Sequence, residues 1–151
     1  MEDSSEQFSE EKESFDITPL VFVGENRSNM AQTHDWSWER CQMERQPRNC
    51  AKQLFEALEY CGIDPYNIEN VRFLNAWEDN QDKWVAVEDL DIKLRTFMEN
   101  GFGVVSLGEH VHQYLEVLEI PHIRLIHPAA RGEIRKKERY QRHVAETLLT
   151  N

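Results

Sequence analysis

Four short apolar runs, separated by amphipathic segments, dominate the pattern of hydrophobic and polar positions along the chain. The runs occupy residues 20–23, 71–77, 103–108 and 123–127, and each has the length and the β-branched or aromatic content of a buried strand. Between them, apolar residues recur at spacings of three and four, which is the period of an amphipathic helix. Helical connections of this length join parallel strands. The pattern therefore predicts a three-layer α/β/α fold with a four-stranded parallel sheet.

The amphipathic segments predict four helices. The first follows Pro47, and Gly62 stands where a left-handed residue would end it. The others are predicted over residues 87–98, 111–118 and 133–148. The stretch between the first strand and the first helix has no clear period, so we expect a long loop there.

Polar or chemically distinctive residues stand where the predicted strands end. They are Glu25 and Asn26 after the first strand, Asn75 in the second, Gly108 after the third and His127 in the fourth. We expect His127 to be the last residue of its strand, because Pro128 cannot donate a ladder hydrogen bond. In an open parallel sheet, ligands bind beyond the carboxyl ends of the strands, so these residues predict a site. Taken singly, each also suits a structural role, such as capping a turn.

The predicted loop contains Trp36 and Trp38, which are either core residues or a platform for stacking a base. The sequence lacks the glycine-rich phosphate and dinucleotide motifs and the nucleophile elbow. Its three cysteines form no CxxC pair and do not resemble a metal ligand set. His110 and His112 would point about 200° apart on a helix, so they cannot chelate an ion together. We expect neither a metal nor a cofactor.

Charge is distributed unevenly along the chain. Residues 1–16 account for −6 of the net charge of −11, so residues 1–18 are predicted to be a disordered acidic tail before a single domain, 19–151. In contrast, residues 122–143 hold seven lysines and arginines against two acids. That segment is either a phosphate-binding surface or a solvated helix face.

No apolar run approaches the roughly 20 residues of a membrane span. The first residues are acidic and lack the basic and apolar regions of a signal peptide. We therefore expect a cytoplasmic protein, monomeric and without a membrane partner.

Taken in order, the strand ends resemble the uracil-DNA glycosylase superfamily across about residues 20–149. The family pattern has a strand ending in Gly-x-Asp/Asn-Pro, a strand ending in Asn, a Gly-bearing strand and a strand ending in His-Pro-Ser. The matching segments here are residues 21–26, 73–75, 104–108 and 127–129. More narrowly, the chain is similar to a small bacterial or phage group of this superfamily that carries HPAARG, here residues 127–132.

The resemblance implies a DNA N-glycosylase that excises an extruded uracil-like or modified base. It implies that Asn26 holds the hydrolytic water, that Asn75 binds the edge of the base, and that His127 donates a hydrogen bond to the base's carbonyl oxygen. Excision requires the base to leave the stack, and Arg131 occupies the position of the wedge that fills the gap. We further expect Gly24, Glu25 and either Trp36 or Trp38 around the base, and Arg135, Lys136 and Lys137 on phosphates.

Two alternatives remain open at this point. Arg27 stands where the motif has proline, and Ala129 replaces the serine that holds a backbone phosphate. Arg27 and the acidic body favour a non-catalytic module that binds DNA or a nucleotide in the same pocket, whereas the complete set of Asn26, Asn75 and His127 favours the enzyme. An acidic mimic of DNA is a third hypothesis, which fits the tail better than the predicted α/β domain.

Overall fold

The computed structural model describes residues 19–79 and 85–149. It confirms the predicted α/β class, with four parallel strands in the order β2-β1-β3-β4. The strands are β1 (Leu20–Gly24), β2 (Val71–Asn75), β3 (Gly103–Leu107) and β4 (Ile123–Leu125). The predicted acidic tail, residues 1–18, lies outside the described residues.

Six α-helices and one 3₁₀ turn surround the sheet in the described part of the chain. They are α1 (Asn29–Thr33), α2 (Trp38–Glu44), α3 (Cys50–Tyr60), α4 (Leu90–Glu99), α5 (Glu109–Val117), the 3₁₀ turn Glu133–Arg135 and α6 (Lys137–Leu148). Within the described ranges, none of these helices combines the length and the apolarity needed to cross a bilayer.

The prediction of a long loop after β1 is wrong, because helices α1 and α2 lie in that stretch. Serine caps start both helices: Ser28 Oγ accepts from the Ala31 N–H, and Ser37 Oγ accepts from the Arg40 N–H, each at 3.1 Å. These helices have five and seven residues, too few turns to establish a helical period in the sequence.

Alternating strand residues build a separate core on each face of the sheet. In the central strand β1, Phe22 faces α2, α3 and α6, while Val21 and Val23 face α4 and α5. The ring of Phe22 stacks on that of Phe73 in β2, with centroids 5.5 Å apart. Burial of β1 on both faces explains its uninterrupted apolar sequence and holds its carboxyl end rigidly at the sheet edge.

The fourth strand ends earlier than predicted. β4 stops at Leu125, so the prediction that His127 is the last strand residue is wrong. The cause is the backbone of Ile126: its N–H donates to His143 Nε2 at 3.0 Å, and its carbonyl accepts from the Tyr140 hydroxyl at 2.7 Å. Both polar groups are therefore bonded to α6 rather than to a strand, and α6 fixes the chain directly before His127.

Replacing Tyr140 with phenylalanine is expected to destabilise the protein by about 1–2 kcal/mol, because the Ile126 carbonyl loses its bonded partner. Tyr140 is 1% exposed, so water replaces the hydroxyl poorly. Urea unfolding measures the change. Tyr60→Phe is the matched control, since Tyr60 is 62% exposed; equal stability of the two variants would contradict the prediction.

Candidate active site

A cavity of about 1040 Å³ opens beyond the carboxyl ends of β1 and β4, the edge where the sequence predicts a site. Its walls come from the segment after β1, from the starts of α2 and α3, and from the turn after β4. Seven predicted site residues line it: Glu25, Asn26, Trp36, Trp38, His127, Arg131 and Arg135. Gly24, Asn75, Lys136 and Lys137 are not among the lining residues.

The hydrogen bonds of the turn after β4 determine the protonation of His127. The Ala129 N–H donates to His127 Nδ1 at 3.0 Å, and the Ala130 N–H donates to the His127 carbonyl at 2.9 Å. A ring nitrogen that accepts a hydrogen bond carries no proton, so the neutral ring carries its proton on Nε2. Burial lowers the pKa of His127, against the opposing charge of Glu25. His127 is therefore a neutral N–H donor at neutral pH.

The end of β3 packs against the His127 side chain. Gly108 has φ +97°, and a Cβ built on it would lie 3.4 Å from His127 Cβ. Glycine at this position accepts the left-handed backbone and leaves room for the histidine. The Gly-bearing strand of the motif thus positions His127 and need not contact a ligand itself.

The side-chain amide of Asn26 is oriented by a contact from another loop. Its Nδ2 donates to the Glu78 carbonyl at 3.0 Å, which joins the segment after β1 to the segment after β2. Because an amide carries its donor and acceptor on opposite sides, this bond turns Oδ1 away from Glu78. This bond fixes the orientation of the amide of Asn26, which lines the cavity.

Arg27, which replaces the motif's proline, is held by acidic residues on two sides. Its backbone N–H and Nε donate to Asp79 at 3.1 and 2.9 Å, and its guanidinium lies 3.3 Å from Asp35. The hydrogen bond that Arg27 donates to the Asp79 carboxylate is the main cause that raises the pKa of Arg27. Ion pairs therefore order the loop that carries Asn26, where proline would otherwise restrict the backbone.

The carboxylate of Glu25 interacts with two histidines, His110 and His127. Its carboxylate lies 3.1 Å from His110 Nδ1 on α5, and its charge favours protonation of His127. Sequence reasoning missed His110 as a site neighbour, because the two residues are 85 positions apart. The sequence offered no local signal for this pair.

Trp38 and Asn75 both lie close to Gly24. A Cβ on Gly24 would be 3.1 Å from Trp38 Nε1 and 3.8 Å from Asn75 Oδ1. Trp38 stacks in the core against Phe73, with centroids 5.7 Å apart, and it is 9% exposed, so it presents little surface to the cavity. Trp36 is half-buried and has the larger face available for stacking. Asn75 Oδ1 is buried without a hydrogen-bond partner among the described residues.

The predicted basic surface divides into two parts. Arg131 and Arg135 are exposed and line the cavity. Lys136 pairs with Glu133 at 3.1 Å, and Lys137 lies 3.7 Å from Glu56. Neighbouring acids thus already compensate the two lysines, whereas the two arginines face the cavity.

Cys50 also lines the cavity. Burial raises the pKa of its thiol to about 11, so it stays protonated at neutral pH and is a poor nucleophile. Burial raises the pKa of Cys61 to about 11 as well, so this thiol also stays protonated at neutral pH.

Comparisons with protein-family models, curated proteins and solved structures find no significant match for this chain. The chemistry of the cavity must therefore be judged from its own groups. It combines a neutral imidazole donor, an oriented amide, a carboxylate, an aromatic face and three arginines. Such a set can hold a planar polar ring that carries a phosphate and can stabilise negative charge on that ring.

Proposed function

We propose that the protein is a DNA N-glycosylase that hydrolyses the bond between deoxyribose and an extruded uracil-like or modified base. The observation that carries the proposal is the Ala129 N–H bonded to His127 Nδ1. It makes Nε2 a donor in a cavity that also contains Asn26. A neutral donor suits a base that leaves as an anion, because it stabilises the developing charge without transferring its own proton.

In the proposed reaction, the bond between C1′ and the base nitrogen breaks, and its electron pair leaves with the base. Asn26 Oδ1 orients a water molecule that forms the new bond to C1′, and Glu25 can accept the water's proton. The His127 Nε2–H bonds the base's carbonyl oxygen as charge accumulates there. Loss of such a donor typically lowers the rate by about 10²–10³-fold.

Recognition of the base is proposed to use Trp36 and Asn75. Stacking on an aromatic face contributes about 1–3 kcal/mol per base, and Trp36 has the more accessible ring. A buried acceptor without a partner costs about 1–3 kcal/mol, so an imide N–H from the base would recover that energy at Asn75 Oδ1. Trp38 Nε1 occupies the space beside Gly24, so this contact requires a small shift of the Trp38 ring.

A strand-cleavage assay tests the proposal. End-labelled oligonucleotides, each with one uracil or modified base, are incubated with excess protein as single and double strands, and alkali then breaks any abasic site. We expect cleavage at one class of base. DNA binding without cleavage of any substrate would overturn the enzymatic assignment.

A non-catalytic module that binds DNA or a nucleotide is the second candidate. The ion pairs of Arg27 with Asp79 and Asp35 favour it, because they place a guanidinium in the cavity wall where the motif has proline. Ala129 also favours this candidate, because its side chain has no hydroxyl group to hold a backbone phosphate. Retention of a nucleotide or oligonucleotide in the absence of excision would support this candidate.

Replacing Arg131 and Arg135 together with glutamine is expected to weaken binding similarly for all DNA sequences. Each lost phosphate contact should reduce the slope of log affinity against log salt by about 0.7–0.9. Fluorescence anisotropy over a series of salt concentrations measures both effects. The control is Lys136→Gln with Lys137→Gln, which removes the same charge from residues already paired with acids. Equal slopes for the two double variants would contradict a special role for the arginines.

A further inference from the structure

A second group of ligand-type side chains lies at the start of β4, away from the cavity. His112 and Glu116 are four residues apart on α5 and so share one face of that helix. His122 immediately precedes β4. Their ligand atoms all lie within 4.8 Å of one another. The three residues come from two separate elements and meet only in the folded chain.

Hydrogen bonds orient the two imidazoles for a shared ion. His122 Nδ1 lies 2.7 Å from the Ile120 carbonyl. Because a carbonyl can only accept a hydrogen bond, Nδ1 carries the proton, and the unprotonated Nε2 has a lone pair available for a metal ion. That Nε2 lies 2.9 Å from His112 Nδ1. A histidine whose second ring nitrogen donates to a backbone carbonyl is the usual arrangement at metal sites, because that bond orients the ring and raises its basicity.

We propose that His112, Glu116 and His122 bind a divalent transition-metal ion of the zinc class, with solvent in the fourth position. Two imidazoles and one carboxylate suit such ions better than Mg²⁺ or Ca²⁺, which prefer oxygen ligands. Both histidines are half-buried and Glu116 is exposed, so an ion can enter from solvent. On binding, the His112 proton moves from Nδ1 to Nε2.

The geometry requires only small movements. Metal–nitrogen bonds of about 2.0–2.1 Å in a tetrahedral site separate two ligand nitrogens by about 3.4 Å. The imidazole nitrogens, now 2.9 Å apart, need to separate by roughly 0.5 Å. Glu116 is exposed and can change rotamer to complete the set. A bound ion would join α5 to the segment that leads into β4, and hence to the strand before His127.

Calorimetric titration of the untagged full chain with Zn²⁺, after removal of bound metal by a chelator, tests the proposal. We expect one equivalent to bind, with Mg²⁺ giving no heat. At a zinc concentration about 100 times Kd, the unfolding temperature should rise by on the order of 5 °C. Changes in outer-shell partners already lower metal affinity about 10–100-fold, so His112→Gln or His122→Gln should lower it by at least about 100-fold.

Three further measurements distinguish this site from other sources of binding. His34→Gln is the matched control, because His34 is exposed and follows α1. The zinc affinity of this variant should equal that of the wild-type protein. Glu116→Gln changes only an exposed side chain and should leave the fold intact. Its expected loss of zinc affinity therefore tests the site even if a histidine variant fails to fold. Co²⁺ should give a spectrum without a thiolate charge-transfer band. A thiolate band, or undiminished zinc binding by Glu116→Gln and the folded histidine variants, would overturn the proposal.

Discussion

Replacing His127 with alanine is expected to lower the single-turnover rate of base excision by about 10²–10³-fold and to leave most of the DNA affinity intact. In the proposed mechanism, the Nε2–H donor interacts chiefly with charge that appears as the base departs, so it would stabilise the transition state more than the bound substrate. The Ala129 bond to Nδ1 makes this donor available without protonating the ring. Quenched-flow excision and anisotropy binding on the same oligonucleotide separate the two effects.

The same variant has a predicted signature in the pH dependence of stability. Burial places the pKa of His127 below its ordinary value, so the unfolded chain takes up this proton at a higher pH than the folded chain. The contribution of His127 to the free energy of unfolding is therefore complete above about pH 6.5. It declines as the pH falls from there to the lower folded-state pKa. His127→Ala should lose this part of the acid destabilisation and should keep the part due to His143, whose pKa is also lowered by burial.

His34→Gln is the control for the excision experiment, because His34 lies outside the lining of the cavity. Its excision rate should match that of the wild-type protein. Full excision by His127→Ala would remove the proposed mechanism. A parallel loss of binding and excision would instead assign His127 to holding the substrate.

Replacing Phe22 with alanine is expected to reduce the free energy of unfolding by about 3–5 kcal/mol. Phe22 is fully buried in the central strand and stacks on Phe73, which in turn stacks on Phe55 and Trp38. The cavity left by the ring is enclosed by strands on both sides, so the core can collapse into it only partly. Since domains of this size are stable by about 5–15 kcal/mol, the loss is a large fraction of the total.

Guanidinium unfolding measures this change, with Ile92→Ala as the control. Ile92 is 63% exposed on α4, so its truncation should alter the free energy of unfolding by less than about 0.5 kcal/mol. A Phe22→Ala loss below about 1 kcal/mol would mean that the core around β1 is less tightly packed than the structure describes.

The local pattern of the sequence predicts the sheet well, because burial on both faces imposes continuous apolar runs. The first strand is the clearest case: residues 20–23 are all buried in β1. Gly62, predicted as a left-handed cap, has φ +83°. The sequence pattern did not predict helices α1 and α2. Each is too short to establish a helical period, and the serine that caps each one, Ser28 or Ser37, is a weak sign of a helix by itself.

The position of the candidate site also follows from the sequence, since the carboxyl ends of parallel strands meet at one edge. Glu25, Asn26 and His127 do line one cavity there. Trp36 or Trp38 was expected to stack a base, but packing against Phe73 makes Trp38 mainly a core residue. Asn75 was predicted beside them, but it is not among the lining residues and instead pairs with Gly24 in the neighbouring strand.

The sequence by itself determined the fold class, the strands and the edge of the sheet at which polar groups gather, because these depend on local period and on parallel connection. Only the tertiary structure decided which groups meet. Ion pairs of Arg27 with Asp79 and the pairing of His112 with His122 join separate elements. The bond from Tyr140 to the Ile126 carbonyl, which ends β4 before His127, spans 14 residues. Contacts of this kind leave no period in the chain, since each depends on how whole helices pack against the sheet.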